Sequence, residues 1–348
     1  MKAVVFAGEG RVEVEDVPEP RLVDPGDAIV RVTRTAICGS DLHLLHGKTP
    51  GMQPGAVIGH EFVGVVTDLG EGVTRVEEGA RVVGSFLIAC GECYECAARR
   101  FNYCRNKRAL GQGPVSGDLD GAQAELVRVP IADLNLKILD DTLGDEHALF
   151  AGDILATGFY AAAISEIPPG GTVVVLGAGP VGLFCGLAAR REGAARVIVL
   201  DVDAERVRFA REHLGLDAID TSEEDAFGAV AARTDYRLAD VAIEAVGSIP
   251  AFKVAMRCAR DGGRVTVVGV YGSERYELPM GVSWVRGMEY RFASMANVHA
   301  HWDDALAAVA DKELDPTSII THRLPLAEAV EGYRAFIERE AMKVVLTP

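Results

Sequence analysis

Hydrophobic and polar positions change rhythm along the 348-residue chain. Up to about residue 140 apolar residues recur with a period of two, as in 28–35, interrupted by Gly and Pro. That pattern predicts a mainly antiparallel β region. Beyond residue 170 the apolar runs become short and continuous: Thr172-Val-Val-Val-Leu176, Arg196-Val-Ile-Val-Leu-Asp201, Asp240-Val-Ala-Ile-Glu244 and Arg264-Val-Thr-Val-Val268. Helical stretches stand between them, from Ala204 to about His213 and from about Ile249. Strands alternating with helices predict a doubly wound parallel sheet. A helical-looking stretch at 145–165 joins the two regions, and Pro168-Pro169-Gly170-Gly171 opens the second. The uncharged run 167–189 is long enough for a membrane span, but its six glycines and three prolines read as a turn, a buried strand and a packed helix. No internal repeat or low-complexity tract interrupts this plan.

Composition narrows the functional classes. Hydrophobic residues make up 49% and charged residues 25%, ordinary globular proportions. Thirty-five Lys and Arg against 51 Asp and Glu give a net charge of −16, which repels nucleic-acid backbones and anionic lipid. No nucleic-acid or membrane partner is therefore expected. The start, Met1-Lys2-Ala3-Val4-Val5-Phe6, has neither the apolar stretch nor the small-residue cleavage site of an export signal, and reads as a first strand of a cytoplasmic protein.

The seven cysteines carry the clearest chemistry. Four follow Cys90-x2-Cys93-x2-Cys96-x7-Cys104 on what reads as an irregular loop. A disulfide scaffold belongs to small secreted chains, whereas four thiolates at this spacing suit a structural zinc, with an iron–sulfur cluster as the competitor. Cys185 and Cys258 sit in apolar helical runs and read as small buried hydrophobes. Cys38 ends an alternating strand in Cys38-Gly-Ser-Asp-Leu-His43. With the Gly59-His60-Glu61 turn about twenty residues later, it becomes one half of a candidate metal site.

The segment after Leu176 runs Gly177-Ala-Gly179-Pro180-Val181-Gly182. It follows a β-branched strand and opens an apolar helix, the context in which G-x-G-x-x-G cradles a dinucleotide pyrophosphate at a helix N-terminus. Asp201, nineteen residues past Gly182 at the end of the next strand, is placed to accept both ribose hydroxyls of NAD. A 2′-phosphate would meet like charge there, so NAD is expected over NADP. Arg206, one helical turn on, is the complication.

These motifs, with Asp153-x3-Thr157-Gly158, resemble the zinc-dependent medium-chain alcohol dehydrogenase family over the whole chain. The resemblance implies a GroES-like catalytic domain at 1–152 and 291–348 and a Rossmann NAD-binding domain at 153–290. It implies a catalytic zinc on Cys38, His60 and Asp153, with Glu61 beside it, and a structural zinc on Cys90, Cys93, Cys96 and Cys104. By the same comparison Thr157, Val181, Val268 and Val270 surround the nicotinamide, Arg206 meets the adenosine ribose, Lys343 lies near the pyrophosphate and Phe86 lines the substrate pocket. The implied activity is hydride transfer between an alcohol and NAD. The alcohol's proton would leave through Ser40 and a ribose hydroxyl to His43. Gly39 stands where some members carry a basic phosphate contact. A zinc-free quinone or enoyl reductase of the same fold, or a non-enzymatic NAD-binding redox sensor, are the alternatives. A homo-oligomer, dimer or tetramer, is expected through an edge strand at 288–295. His46, His147, His213 and His322 read as surface or capping residues, and His299 and His301 as a solvated loop pair.

Overall fold

A computed structural model describes residues 1–272 and 275–348. The chain divides into two compact units, Met1–Ala156 with Asn297–Pro348, and Thr157–Ala296.

The first unit is built on a mostly antiparallel sheet. Its strands run in the order His322–Pro325, Val344–Thr347, Ala28–Ile37, Glu61–Leu69, Arg81–Gly84 and Leu136–Ile138, and Leu126–Val129 also pairs with Ala28–Ile37. The central Ala28–Ile37 strand is apolar enough to be covered on both faces. Val30, Val32, Phe62, Val82 and Val127 pack on one side, and Ile37, Leu44, Tyr333 and Val344 on another. Residues near the C-terminus are therefore structural members of the sheet begun at residue 28. A hairpin of Leu87–Ile88 and Arg108–Ala109 leads into and out of the four-cysteine loop.

The second unit holds six parallel strands in the order Asp217–Asp220, Arg196–Asp201, Thr172–Leu176, Ala239–Glu244, Ala259–Val267, Glu289–Phe292. Every residue of Thr172–Leu176 is buried, as a strand covered by helices on both faces requires. Strand order reverses between Thr172–Leu176 and Ala239–Glu244, the place where such sheets open a ligand crevice beyond the strands' carboxyl ends. Helix Pro180–Arg191 follows with proline at its start, where the missing N–H costs nothing. Helix Ala204–Leu214 is capped by Asp203, whose carboxylate accepts from the amides of Glu205 and Arg206, and stops at Gly215 with φ +58°.

Three expectations need correction. The second crossing between units falls at 296/297 and not at 290/291, because Glu289–Phe292 adds a sixth strand to the parallel sheet before the chain leaves it. That edge strand is four residues long, shorter than the alternation at 288–295 suggested. His299 and His301 lie in helix Val298–Ala310, not in a loop, and residues two apart on a helix face different ways. Among the described residues no single helix is long and apolar enough to cross a membrane. Asp145–Gly152 and Ile154–Ser165 pass that test only jointly, bent by 49°.

Candidate active site and four-cysteine lobe

The Ala28–Ile37 strand delivers Cys38 to a turn, and the neighbouring Glu61–Leu69 strand begins just after His60. Their antiparallel register pairs Ala36 with Glu61, so the two motifs seen in sequence meet side by side. Asp153 arrives from a 3-10 turn, Phe150–Gly152, pressed against the sheet. A Cβ on Gly152 would stand 2.2 Å from the carbonyl oxygen of Gly84, so only glycine lets this turn approach. One ligand atom each from Cys38, His60, Glu61 and Asp153 lies within 4.8 Å of the others, and all four residues are buried.

The spacings fit one shared ion. His60 Nε2 is 3.2 Å and Cys38 Sγ 3.6 Å from Asp153 Oδ2. Tetrahedral ligands at ordinary zinc distances would stand about 3.4 Å apart for nitrogen and oxygen and about 3.6 Å for sulfur and oxygen. The charges point the same way. Burial pushes the Cys38 thiol up, with Glu61 and Asp153 adding to the effect. Burial also pushes Glu61 up, to about 7. Burial alone would lower His60, but the Asp41 charge and the Asp153 hydrogen bond raise it well above its ordinary value. Burial opposes ionisation of Asp153, yet His60 holds its pKa down. Several buried anionic donors facing one another are stable when a cation binds among them.

Around this group, Ser40 Oγ lies 3.1 Å from His60 Nε2, and the Phe86 ring meets the His60 ring edge-on at 6.1 Å. Two groups went unassigned in the sequence. Asp41 is fully buried, with Oδ1 3.2 Å from His60 Nδ1, and Gln112 Nε2 is 3.3 Å from the same nitrogen. A histidine that binds metal through one nitrogen is commonly oriented by such a partner on the other. Asp41 stood in the quoted motif as a carboxylate three residues after a ligand, and that position was its only signal. Lys343, expected at a pyrophosphate, is 1% exposed and donates to Glu61 Oε1 at 2.7 Å. Burial would depress its ammonium, but the Glu61 charge more than restores it. Glu61 Oε2 has no hydrogen-bond partner among the described residues.

In the cysteine lobe the sulfurs of Cys90 and Cys104 are 3.5 Å apart, Cys93 and Cys96 3.6 Å, and Cys90 and Cys96 3.9 Å. A disulfide needs about 2.05 Å, and none is formed. Four thiolates about 2.3 Å from one zinc stand about 3.8 Å apart, whereas in a four-iron cluster each thiolate binds its own iron and the sulfurs spread further. Zinc is the better fit. Hydrogen bonds from the backbone at Arg105 and Cys96 pull Cys93 down to about 6, while burial pushes Cys96 up to about 12. Cys185 and Cys258 are buried, and burial lifts both thiols to about 12, as inert core residues require.

In the second unit Gly177 has φ +102°, and a Cβ on Gly182 would lie 1.9 Å from the Gly177 carbonyl oxygen. The turn is accessible to glycine alone at these points. Gly179 caps the helix that begins at Pro180, and its Cβ direction points at Arg206 Nη1, 3.5 Å away. Asp201 Oδ2 accepts from the Ala178 amide at 2.6 Å, tying the end of its strand to the turn. Thr157 opens this unit in helix Ile154–Ser165 and Val181 lies in the first turn of Pro180–Arg191. Val268 and Val270 follow strand Ala259–Val267, with Val270 57% exposed. His46, His147 and His213 are exposed and His322 partly so, while His43 is half-buried.

Comparison with known proteins places these sites in a family. The alcohol dehydrogenase GroES-like domain profile matches residues 24–138, and the zinc-binding dehydrogenase profile matches 180–311. The zinc-type alcohol dehydrogenase-like protein AdhB of Bacillus subtilis (strain 168) is 34% identical over 379 residues, covering 100% of both chains. The alcohol dehydrogenase TADH from Thermus sp. ATN1 superposes with a TM-score of 0.95 at 43% identity, covering 100% of this chain and 99% of that one. A zinc-binding dehydrogenase of Sinorhizobium meliloti 1021, solved with NADP, reaches 0.86 at 34% identity, covering 100% and 99%. The antiparallel unit with its cysteine lobe and the parallel unit with its glycine turn are the two halves these profiles describe, and the chain belongs to the medium-chain, zinc-binding alcohol dehydrogenase family of oxidoreductases.

Proposed function

We propose that the chain is a zinc-dependent dehydrogenase that transfers a hydride between an alcohol, or the corresponding aldehyde or ketone, and NAD. The observation that carries this reading is the buried group of Cys38, His60, Glu61 and Asp153, whose donor atoms lie within 4.8 Å of one another. Three ligands, Cys38, His60 and Asp153, are the number a catalytic zinc takes from its protein. Zinc held by these residues would supply a Lewis acid for the substrate oxygen, and NAD held by the 177–182 turn would supply the hydride acceptor.

The chain's own residues do the rest. Ser40 Oγ, beside His60 Nε2, would accept the hydroxyl proton as it gives up its own, by way of a cofactor ribose hydroxyl, toward His43, three residues on and half-buried, which would release it to water at neutral pH. Glu61 remains paired with Lys343 close to the ligands. Phe86 presents an aromatic edge against His60 and gives the substrate an apolar wall. In the second unit the amides at the helix start would receive the pyrophosphate, and Thr157, Val181, Val268 and Val270 would hold the nicotinamide, as the family resemblance implies. Asp201 favours NAD, because its carboxylate repels a 2′-phosphate and the exposed Val202 beside it supplies no cation. NADP is the second reading, favoured by Arg206 standing over Gly179 and by the NADP-bound relative. A zinc-free reductase has no use for the buried ligand set, and a redox sensor would need the four thiols without metal.

The same proposal makes the protein cytoplasmic and a homo-oligomer. Glu289–Phe292 stands at the end of its sheet with no further strand beside it among the described residues, and Phe292, Trp284 and Val285 nearby in sequence are exposed. An uncovered edge with apolar side chains suits pairing with a second copy.

The deciding experiment combines zinc analysis of protein purified without chelators with a panel of aliphatic alcohols, polyols, amino alcohols and aldehydes, read as NADH or NADPH absorbance. Two zinc ions per chain and NAD-preferring turnover are expected. Metal-replete protein that turns over no panel member, or a preparation fully active without zinc, overturns the reading.

A further inference from the structure

Asp41 sits where three segments distant in sequence converge. Its Oδ2 accepts from the Cys38 amide at 3.0 Å, from Gln123 Nε2 at 3.2 Å and from the Tyr333 hydroxyl at 3.2 Å. The Tyr333 hydroxyl is also 2.8 Å from Gln123 Oε1, and Gln123 Nε2 donates to the Ala36 carbonyl at 3.1 Å. All of these side chains are at most 1% exposed. Tyr333 has one hydroxyl proton and two acceptors in reach. The proton is shared between them: the contact to Gln123 Oε1 is the shorter, and the longer one to Asp41 is strengthened by the carboxylate's charge. The amide of Gln123 bridges the same carboxylate to the strand that ends at Cys38. With three donors crowded on Oδ2, Oδ1 is left facing His60 Nδ1 at 3.2 Å as a close ion-pair contact; Oδ1 has no hydrogen-bond partner among the described residues, and Gln112 Nε2 stands 3.3 Å from the same nitrogen.

The hydroxyl does not earn its place by packing. The Tyr333 ring lies among Val4, Phe6, Ile37, Leu44 and Val344, an apolar setting that phenylalanine would fill equally well. A buried polar atom is stable only when hydrogen-bonded, and here its partners lead to a candidate metal ligand.

We propose that Tyr333 and Gln123 are positioning residues that lock Asp41 against His60 Nδ1, keep His60 Nε2 turned toward Cys38 and Asp153, and so set how tightly that group retains its metal ion. The inference rests on reading that group as a zinc site. Partners of metal-binding histidines typically change metal affinity by about 10- to 100-fold when removed. Tyr333 and Gln123 act one bond further out.

The test uses the zinc-loaded full-length protein and follows zinc transfer to 4-(2-pyridylazo)resorcinol. Two release phases are expected. The one missing from Cys38→Ser belongs to this site, and the phase from the four-cysteine lobe is the internal standard. Tyr333→Phe should speed release from this site about tenfold, the lower end of that range, and leave the lobe's phase unchanged. It should also shift the visible absorption of the cobalt(II)-loaded protein. Gln123→Met should do the same, and the double variant should fall short of the product of the single effects, because both act through Asp41. Lower melting temperatures with wild-type release rates and spectra in both variants would make these residues ordinary packing and overturn the proposal. Should one variant not fold, the other gives the same readout. Wild-type protein that binds a single zinc, retained by Cys38→Ser, would overturn the underlying reading of the site instead.

Discussion

His299 offers a direct test of how burial governs the first unit's response to acid. Its ring is 9% exposed and packs against Phe101, with centroids 4.9 Å apart, and edge-on to Trp302 at 5.1 Å. Nε2 is 2.8 Å from Asn135 Oδ1, and Nδ1 has no partner among the described residues. Burial is the one cause of the shift that holds its pKa at about 3. In the unfolded chain a histidine titrates near 6.5. The folded value is depressed, so the contribution is fully present above about pH 6.5 and is lost as pH falls toward 3. Each pH unit in that window costs about 1.4 kcal/mol, which gives about 2 kcal/mol at pH 5 relative to pH 8. For a unit of this size that is a drop in melting temperature of roughly 4–8 °C. His299→Gln keeps a donor toward Asn135 and removes the titration. Zinc-loaded wild type and variant are unfolded at about pH 8, 6.5 and 5 and followed by tryptophan fluorescence. Trp284 is already 83% exposed, so the signal reports Trp302 in this unit. Acid weakens thiolate–metal binding in both proteins alike, and that effect cancels in the comparison. The variant should gain about 2 kcal/mol on the wild type between pH 8 and pH 5. Parallel curves, within about 0.5 kcal/mol, would show that His299 is protonated in the fold and that burial does not control it.

Other expectations are as concrete. Gly182→Ala should abolish nucleotide binding measured by calorimetry, because the new methyl would stand 1.9 Å from the Gly177 carbonyl oxygen and force the turn open. Cys93→Ser should lower the zinc content by one per chain and cost melting temperature or yield, whereas Cys38→Ser should abolish turnover with little change in circular dichroism. His43→Gln should lose about tenfold or more in turnover near neutral pH and less at high pH, where solvent bases substitute. A pH–rate profile identical to wild type removes His43 from the proton path. Phe292→Asp on the edge strand should turn the proposed homo-oligomer into monomers by light scattering; a wild type that is itself a monomer overturns that proposal.

The residues legible in sequence share a property: their chemistry is local. The four cysteines fall within one short loop and the glycines within one turn, so spacing alone carries the geometry. Cys38 and His60 were legible as separate motifs, and strand pairing brings them together. Asp41, Gln123 and Tyr333 form no such pattern. Gln123 lies 82 residues and Tyr333 292 residues from the carboxylate they share, and only tertiary packing, which sets helix Ala329–Ile337 and the bend at Gln123 against the Cys38 turn, places them in contact. Lys343 could be matched to a family position but not to Glu61, 282 residues away. The histidine pair at 299 and 301 was misjudged because a buried, neutral imidazole looks the same in sequence as a solvated one.

The strands His322–Pro325 and Val344–Thr347 complete a sheet begun at Ala28–Ile37, and this has a consequence for how the chain emerges from the ribosome. The parallel unit is a continuous stretch, Thr157–Ala296, and can fold as soon as it is made. The antiparallel unit cannot. Through all of that interval its sheet lacks the edge that Val344–Thr347 will cover, Asp41 lacks Tyr333, and Glu61 lacks the Lys343 ammonium. The nascent chain thus carries Cys38 and the four lobe thiols without their finished surroundings. Contacts spanning nearly 300 residues are slow to form, so the ligand group should be the last part of the molecule to mature. Zinc supplied during synthesis would meet the lobe, whose four ligands lie within fifteen residues, well before it meets a completed Cys38, His60 and Asp153.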